Sequence, residues 1–85
     1  MILSDEKKVI CVVQLNQTDK DSETGKAIDH LKAGCSVIVN FSDVESSSAF
    51  TILYNLLGAT YALNGNYHKV GDEVYLFSTT DIKLL

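Results

Sequence analysis

Apolar positions along the chain fall into blocks of different period, separated by polar turn-formers. Val9 to Leu15 is rich in β-branched residues and reads as a buried strand. Asn16 to Ser22 is polar and turn-like. From about Glu23 to Lys32 the apolar residues Ala27, Ile28 and Leu31 share one helical face, and Gly34 supplies a stop. Ser36 to Phe41 reads as a second strand. Ser42 followed by Glu45 has the spacing of a capping box, so a second helix is expected to begin there and to reach about Leu63. Tyr67 to Ser78 reads as a hairpin, with a short last strand expected near Asp81 to Leu85. Residues 1–8 form a charged lead-in that is expected to fray, leaving 9–85 as a single domain. The order β-α-β-α-β-β(-β) predicts an α/β two-layer sandwich, two helices packed on a four- to five-stranded sheet.

The second helix carries more apolar surface than one layer requires. At 100° per residue, Ala49, Ile52, Leu53, Leu56, Thr60 and Leu63 cluster on one side and suit a sheet. Phe50, Tyr54, Leu57 and Tyr61 form a second stripe, rotated by roughly 140° from the first. Either the first helix covers that stripe or another subunit meets it. Gly58 lies beside it. A mid-helix glycine costs about 0.5–1 kcal/mol relative to alanine, and close approach of another helix would account for it.

Two hairpin registers compete. A two-residue Gly71-Asp72 turn pairs Val70 with Glu73. A three-residue loop, Gly71 to Glu73, pairs Val70 with Val74 and Lys69 with Tyr75. The second is preferred, because it gathers Val70, Val74 and Leu76 on one face. Tyr67, Lys69, Tyr75 and Phe77 then share the other, a combination that fits recognition of a peptide or a second subunit.

Composition narrows the functional classes. A chain of 85 residues, 46% of them hydrophobic, is sized for one globular core. Its net charge of −4, with lysines scattered, argues against nucleic acid. No apolar run is long enough to span a bilayer, and no signal peptide is visible. Cys11 and Cys35 lie in apolar runs and read as buried, reduced thiols. His30 and His68 lack sequence neighbours at ligand spacing, and Ser46 to Ser48 lies in the first turns of a helix. Asp43, Glu45, Asp72 and Glu73 occupy cap and turn positions, where carboxylates serve structure. No catalytic residue, metal site or cofactor is expected.

Two stretches, AIDHLKAGCSVIVNF and LLGATYALNGNYHKVGDEVYLFSTTDI, resemble the C-terminal core domain of the SepF family of cell-division proteins. The positions that carry the resemblance most specifically are Gly58, Tyr61-Ala62-Leu63, Gly65, Val70-Gly71 and Tyr75-Leu76, within a match from about Leu15 to Leu85. The resemblance implies a non-enzymatic, cytoplasmic adaptor at the division site. Such an adaptor self-associates as a homodimer or higher oligomer and binds the C-terminal tail of FtsZ, supporting septum assembly. It also implies residue roles. Lys69 and Tyr75, flanked by Tyr67 and Phe77, correspond to the tail site. Gly58 corresponds to a self-association contact, and the stripe of Phe50, Tyr54, Leu57 and Tyr61 beside it is expected to share that role. Membrane contact in the family runs through an N-terminal amphipathic anchor, and Met1 to Lys8 offers only Met1, Ile2 and Leu3 as apolar residues. The chain departs from the family in having Thr18 before the first helix and Thr79-Thr80 after the hairpin where prolines are usual, and Gln17 to Ser22 stands where an Arg and a Tyr are common. The alternative is a structural or regulatory oligomer of the same fold that no longer binds FtsZ, or a small-ligand domain.

Overall fold

A computed structural model describes residues 9–80; the expected fraying lead-in and the short last strand lie outside them. Six elements follow in the anticipated order: β1 (Ile10–Asn16), α1 (Lys20–Lys32), β2 (Ser36–Asp43), α2 (Ser46–Ala62), β3 (Asn66–Gly71) and β4 (Val74–Ser78). The strands form one mixed sheet in the order β1-β2-β4-β3. β1 and β2 run parallel, with Val13 beside Val39, and such a pair requires a crossover, which α1 supplies. β4 lies antiparallel to both β2 and β3.

Strand alternation places the core on one side. Val13 and Leu15 of β1, Val37, Val39 and Phe41 of β2, and Phe77 of β4 meet Ala27 and Leu31 of α1 and Ile52 and Leu56 of α2. The intervening residues of β1 point the other way, and Val12 is 73% exposed. Val9 to Leu15 is thus buried on one face only: its β-branched run reflects strand propensity rather than two-sided burial.

Three boundaries differ from expectation. α1 begins at Lys20, before any apolar residue signals a helix. The Asn16 side-chain oxygen accepts from the Thr18 and Asp19 amides at 3.0 and 2.9 Å, so the polar segment organises the helix entry. α2 begins at Ser46, and the Ser42–Glu45 capping box does not form. Ser42 and Asp43 instead prolong β2, with Asp43 paired to Asn16. The Glu45 amide donates to Gln17 Oε1 at 2.9 Å, which ties the start of α2 to the loop before α1. In the hairpin, Lys69 does pair with Tyr75, but Gly71 rather than Val70 faces Val74. Val70 falls at an irregularity between Lys69 and Gly71 and is exposed.

The end of α2 is set by close packing. Asn64 takes a left-handed conformation, and the Gly65 amide donates to the Thr60 carbonyl at 2.8 Å. A Cβ at Gly65 would run into the Ser78 carbonyl oxygen and stand 2.9 Å from the Thr60 methyl, so only glycine fits here.

Candidate functional site

The first apolar stripe of α2 packs as anticipated. Ile52, Leu56 and Thr60 are buried, and Ala49, Leu53 and Leu63 sit half-buried against the core. The second stripe stays open. α1 lies along the Ser48, Thr51 and Asn55 side of α2, leaving Phe50 60%, Tyr54 66% and Tyr61 54% exposed. Leu57 is half-buried among them. Phe50 and Tyr54, about one helical turn apart, stack at 6.5 Å and keep most of their ring surface open among the described residues.

The hairpin face bearing Tyr67, Lys69, Tyr75 and Phe77 turns toward the helix layer. Phe77 is 0% exposed and belongs to the core, so the expectation that all four residues form an open surface is corrected for this one. Its place follows from strand order. β4 is an interior strand, and Phe77, opposite Val37, sits under the helices. Tyr75 and Tyr67 are half-buried at the border of that cover, and Lys69 on edge strand β3 is exposed. Their rings form a continuous ladder. Phe41 meets Tyr75 edge-on at 5.7 Å, Tyr75 lies 6.3 Å from both Tyr67 and Phe77, and Tyr61 of α2 reaches Tyr67 at 6.3 Å.

Between α2 and the hairpin lies a groove of about 170 Å³. Phe41 and Tyr75 lie on its sheet side and Ala49, Phe50 and Leu53 on its helix side, while Lys69, Glu73 and Ser46 supply the polar lining. Such a site offers apolar contact to a short segment, one cation for a carboxylate or carbonyl, and one carboxylate for a donor. The groove and the open stripe of α2 adjoin through Phe50, which belongs to both.

At the opposite border of the sheet the fold brings together residues that are far apart in sequence. His30, which lacks sequence neighbours at ligand spacing, has spatial ones: its ring nitrogen and the sulfurs of Cys11 and Cys35 lie within 4.8 Å of one another. The two thiols are free, and half-buried rather than buried. Desolvation, and then the adjacent Cys35 with its hydrogen bond, push the Cys11 thiol above its ordinary pKa. Sequence spacing alone does not show this trio, because the parallel β1–β2 register creates it. A strand-α-strand reading with Cys near the start of each strand was the available signal.

Among the described residues no helix is long and apolar enough to cross a membrane. Comparison with known proteins gives one consistent result. The family model described as Cell division protein SepF matches residues 10–84. Cell division protein SepF of Desulfitobacterium hafniense is 35% identical over 79 residues, which make up 93% of this chain and 51% of that protein. Its counterpart in Heliobacterium modesticaldum is 30% identical over 84 residues, 99% of this chain and 51% of the relative. The one in Natranaerobius thermophilus is 32% identical over 73 residues, 86% and 42% respectively. The chain thus spans about half or less of the length of these relatives. Among solved structures, a SepF-like protein from Pyrococcus furiosus superposes with a TM-score of 0.76 at 20% identity, covering 98% of this chain and all of the other. At that identity the likeness is one of fold.

Proposed function

The chain belongs to the SepF family, and from that premise we propose that it is a non-enzymatic, cytoplasmic adaptor of cell division. In this reading it docks the C-terminal tail of FtsZ in the groove between α2 and the hairpin, and it self-associates through the open stripe of α2. The groove carries the first part. It sets Tyr75, with Phe41 against its ring, behind an exposed Lys69, and Tyr75 and Lys69 are the positions where the family resemblance puts the tail site. A tail that orders on docking loses conformational entropy, which an apolar groove with a few directed polar contacts offsets. Tyr75 is the anchor, Tyr67 extends the aromatic surface, and Lys69 meets a tail carboxylate or carbonyl. Phe77 acts from below by holding the Tyr75 ring in place.

Self-association rests on Phe50, Tyr54, Leu57 and Tyr61 with Gly58 among them. No atom of the described residues lies within 4 Å of a Cβ built at Gly58, so nothing inside the domain requires a glycine there. A contact between helices of two copies does supply a reason. The adaptor reading is tested by calorimetry with a peptide of the FtsZ tail. Saturable binding that weakens in Lys69→Glu supports it. Absence of binding by the folded parent would leave the oligomeric, FtsZ-independent alternative in possession.

A further inference from the structure

Cys11, His30 and Cys35 come from three elements of one strand-helix-strand unit. Cys11 lies in β1, His30 in the last turn of α1, and Cys35 immediately before β2. Two features hold the trio in position. The Cys35 amide donates to the His30 carbonyl at 2.9 Å across a turn in which Gly34 adopts φ +93°, fixing these two residues to each other. The parallel ladder, with Ile10 beside Ser36 and Cys11 beside Val37, then delivers the third.

A disulfide does not suit this register. In an ideal parallel pair, residues offset by two along neighbouring strands have Cα atoms about 8 Å apart, beyond the roughly 7 Å that a disulfide bridges. A metal ion spans what the direct bond cannot. Around tetrahedral zinc, with Zn–S near 2.3 Å and Zn–N near 2.0–2.1 Å, donor atoms stand roughly 3.5–3.8 Å apart. The observed trio, within 4.8 Å, needs only side-chain adjustments of about 1 Å to close on an ion. Two sulfurs and an imidazole select thiophilic ions such as zinc over magnesium or calcium. The last carbonyls of α1 add the negative end of the helix dipole. Half-burial of all three side chains leaves an entry path, and solvent completes the fourth coordination position.

The geometry points to a zinc-class metal site formed by Cys11 Sγ, Cys35 Sγ and a His30 ring nitrogen, which staples the end of α1 to the parallel strand pair. Binding forms two metal–thiolate bonds and one metal–imidazole bond, and releases the thiol protons to solvent.

The test is a cobalt(II) titration of the reduced 85-residue chain, followed by zinc competition. Thiolate-to-cobalt charge-transfer absorption should saturate at one equivalent and be bleached by zinc. Cys11→Ser and Cys35→Ser should each remove about half of the absorption, since each leaves one of two thiolates, and the double variant should show none. His30→Gln should weaken zinc binding at least ~10-fold while a thiolate band remains at high cobalt. Zinc should also raise the melting temperature of the parent and leave that of the double serine variant unchanged. Absence of a charge-transfer band in the parent overturns the site. So does unchanged zinc affinity in folded His30→Gln, a reading that holds even where the double serine variant is too unstable to assay.

Discussion

Tyr75 and Lys69 face each other across the β3–β4 pair and share the groove, so the proposed tail site can be dissected there. Lys69 is exposed and its side chain makes no hydrogen bond to another described residue, so Lys69→Glu should leave the fold intact. The change puts a second carboxylate beside Glu73 in the groove lining. Removing one favourable contact with an acidic tail and adding one repulsion, each about 1 kcal/mol at solvent-exposed separations near 4 Å, predicts a loss of ~2 kcal/mol, roughly thirtyfold in Kd. Tyr75 is a different case. Its ring contacts Phe41, Tyr67 and Phe77, and aromatic pairs contribute about 0.5–1.5 kcal/mol each beyond area burial. Tyr75→Ala therefore costs the domain ~2–4 kcal/mol and lowers Tm by ~10–30 °C, at about 4–8 °C per kcal/mol for a domain of this size. That would confound a binding assay.

Tyr75→Leu retains apolar volume in the ladder while removing the ring and hydroxyl from the groove, and it isolates the hot-spot effect of about 2 kcal/mol. Because the two residues are cross-strand neighbours, their effects should not simply add. The double variant Lys69→Glu/Tyr75→Leu should lose ~100-fold or more in calorimetry with the FtsZ tail peptide. Circular dichroism should show each variant folded at the assay temperature. Parent-like affinity in the folded double variant would refute the placement of the tail in this groove.

The remaining predictions concern assembly and packing. The parent should be at least dimeric at micromolar concentration in sedimentation velocity, and a monomer at high concentration would remove the proposed role of the α2 stripe. Gly58→Lys should abolish that assembly while leaving Tm within a few degrees of the parent, because nothing in the chain's described residues opposes a side chain there; unchanged assembly would show that the helix face is not a contact. Gly65→Ala should destabilise the domain by about 1–3 kcal/mol in urea unfolding, as a Cβ would press on the Ser78 backbone, and a neutral effect would mean that the α2–β4 approach relaxes freely.

The element order, the core-facing stripe of α2 and the Lys69–Tyr75 pairing were legible because each follows from periodicity. The errors share a cause. At Ser42 a local capping signal lost to the sheet, since continued pairing of β2 with its neighbours claims the residues that the cap would have used. At Lys20 the helix is nucleated by side-chain hydrogen bonds around Asn16, which leave no apolar period to detect. At Phe77 the two faces of the hairpin were separated correctly, but their burial depends on strand order, to which alternation is blind. The Cys11–His30–Cys35 trio depends on the register between two strands more than twenty residues apart, again a property of pairing rather than pattern.

Strand order also explains why the groove lies where it does. The β1-α1-β2 crossover holds α1 against β1 and β2. α2 packs beside α1 at the usual interaxial distance of about 8–10 Å, which equals two interstrand spacings of about 4.8 Å. Two helices so placed stand over β1 and β2 and over β4 and β3, with α2 against both hairpin strands. β3 is the outer edge strand, and no helix lies beyond α2 on that side among the described residues. The helix-side residues at that border therefore meet the second stripe of α2. Tyr67 meets Tyr61 there, and Tyr75 with Phe41 lines the sheet side of the gap. An aromatic face that the sequence marks as apolar and the topology leaves half-covered requires either an occupant or a partner. The lysine at its lip favours an occupant with an acidic or carbonyl-rich edge over a second copy of this net-negative chain. The open face of α2, with Gly58 and no charged side chain among its aromatics, has the complementary character of a contact between like surfaces. The two surfaces share Phe50, so tail docking and self-association should be energetically coupled, and a tail titration repeated at increasing protein concentration should show apparent affinity changing as the oligomer forms. An apparent Kd that stays constant across the monomer–oligomer transition would separate the two surfaces functionally despite their contact.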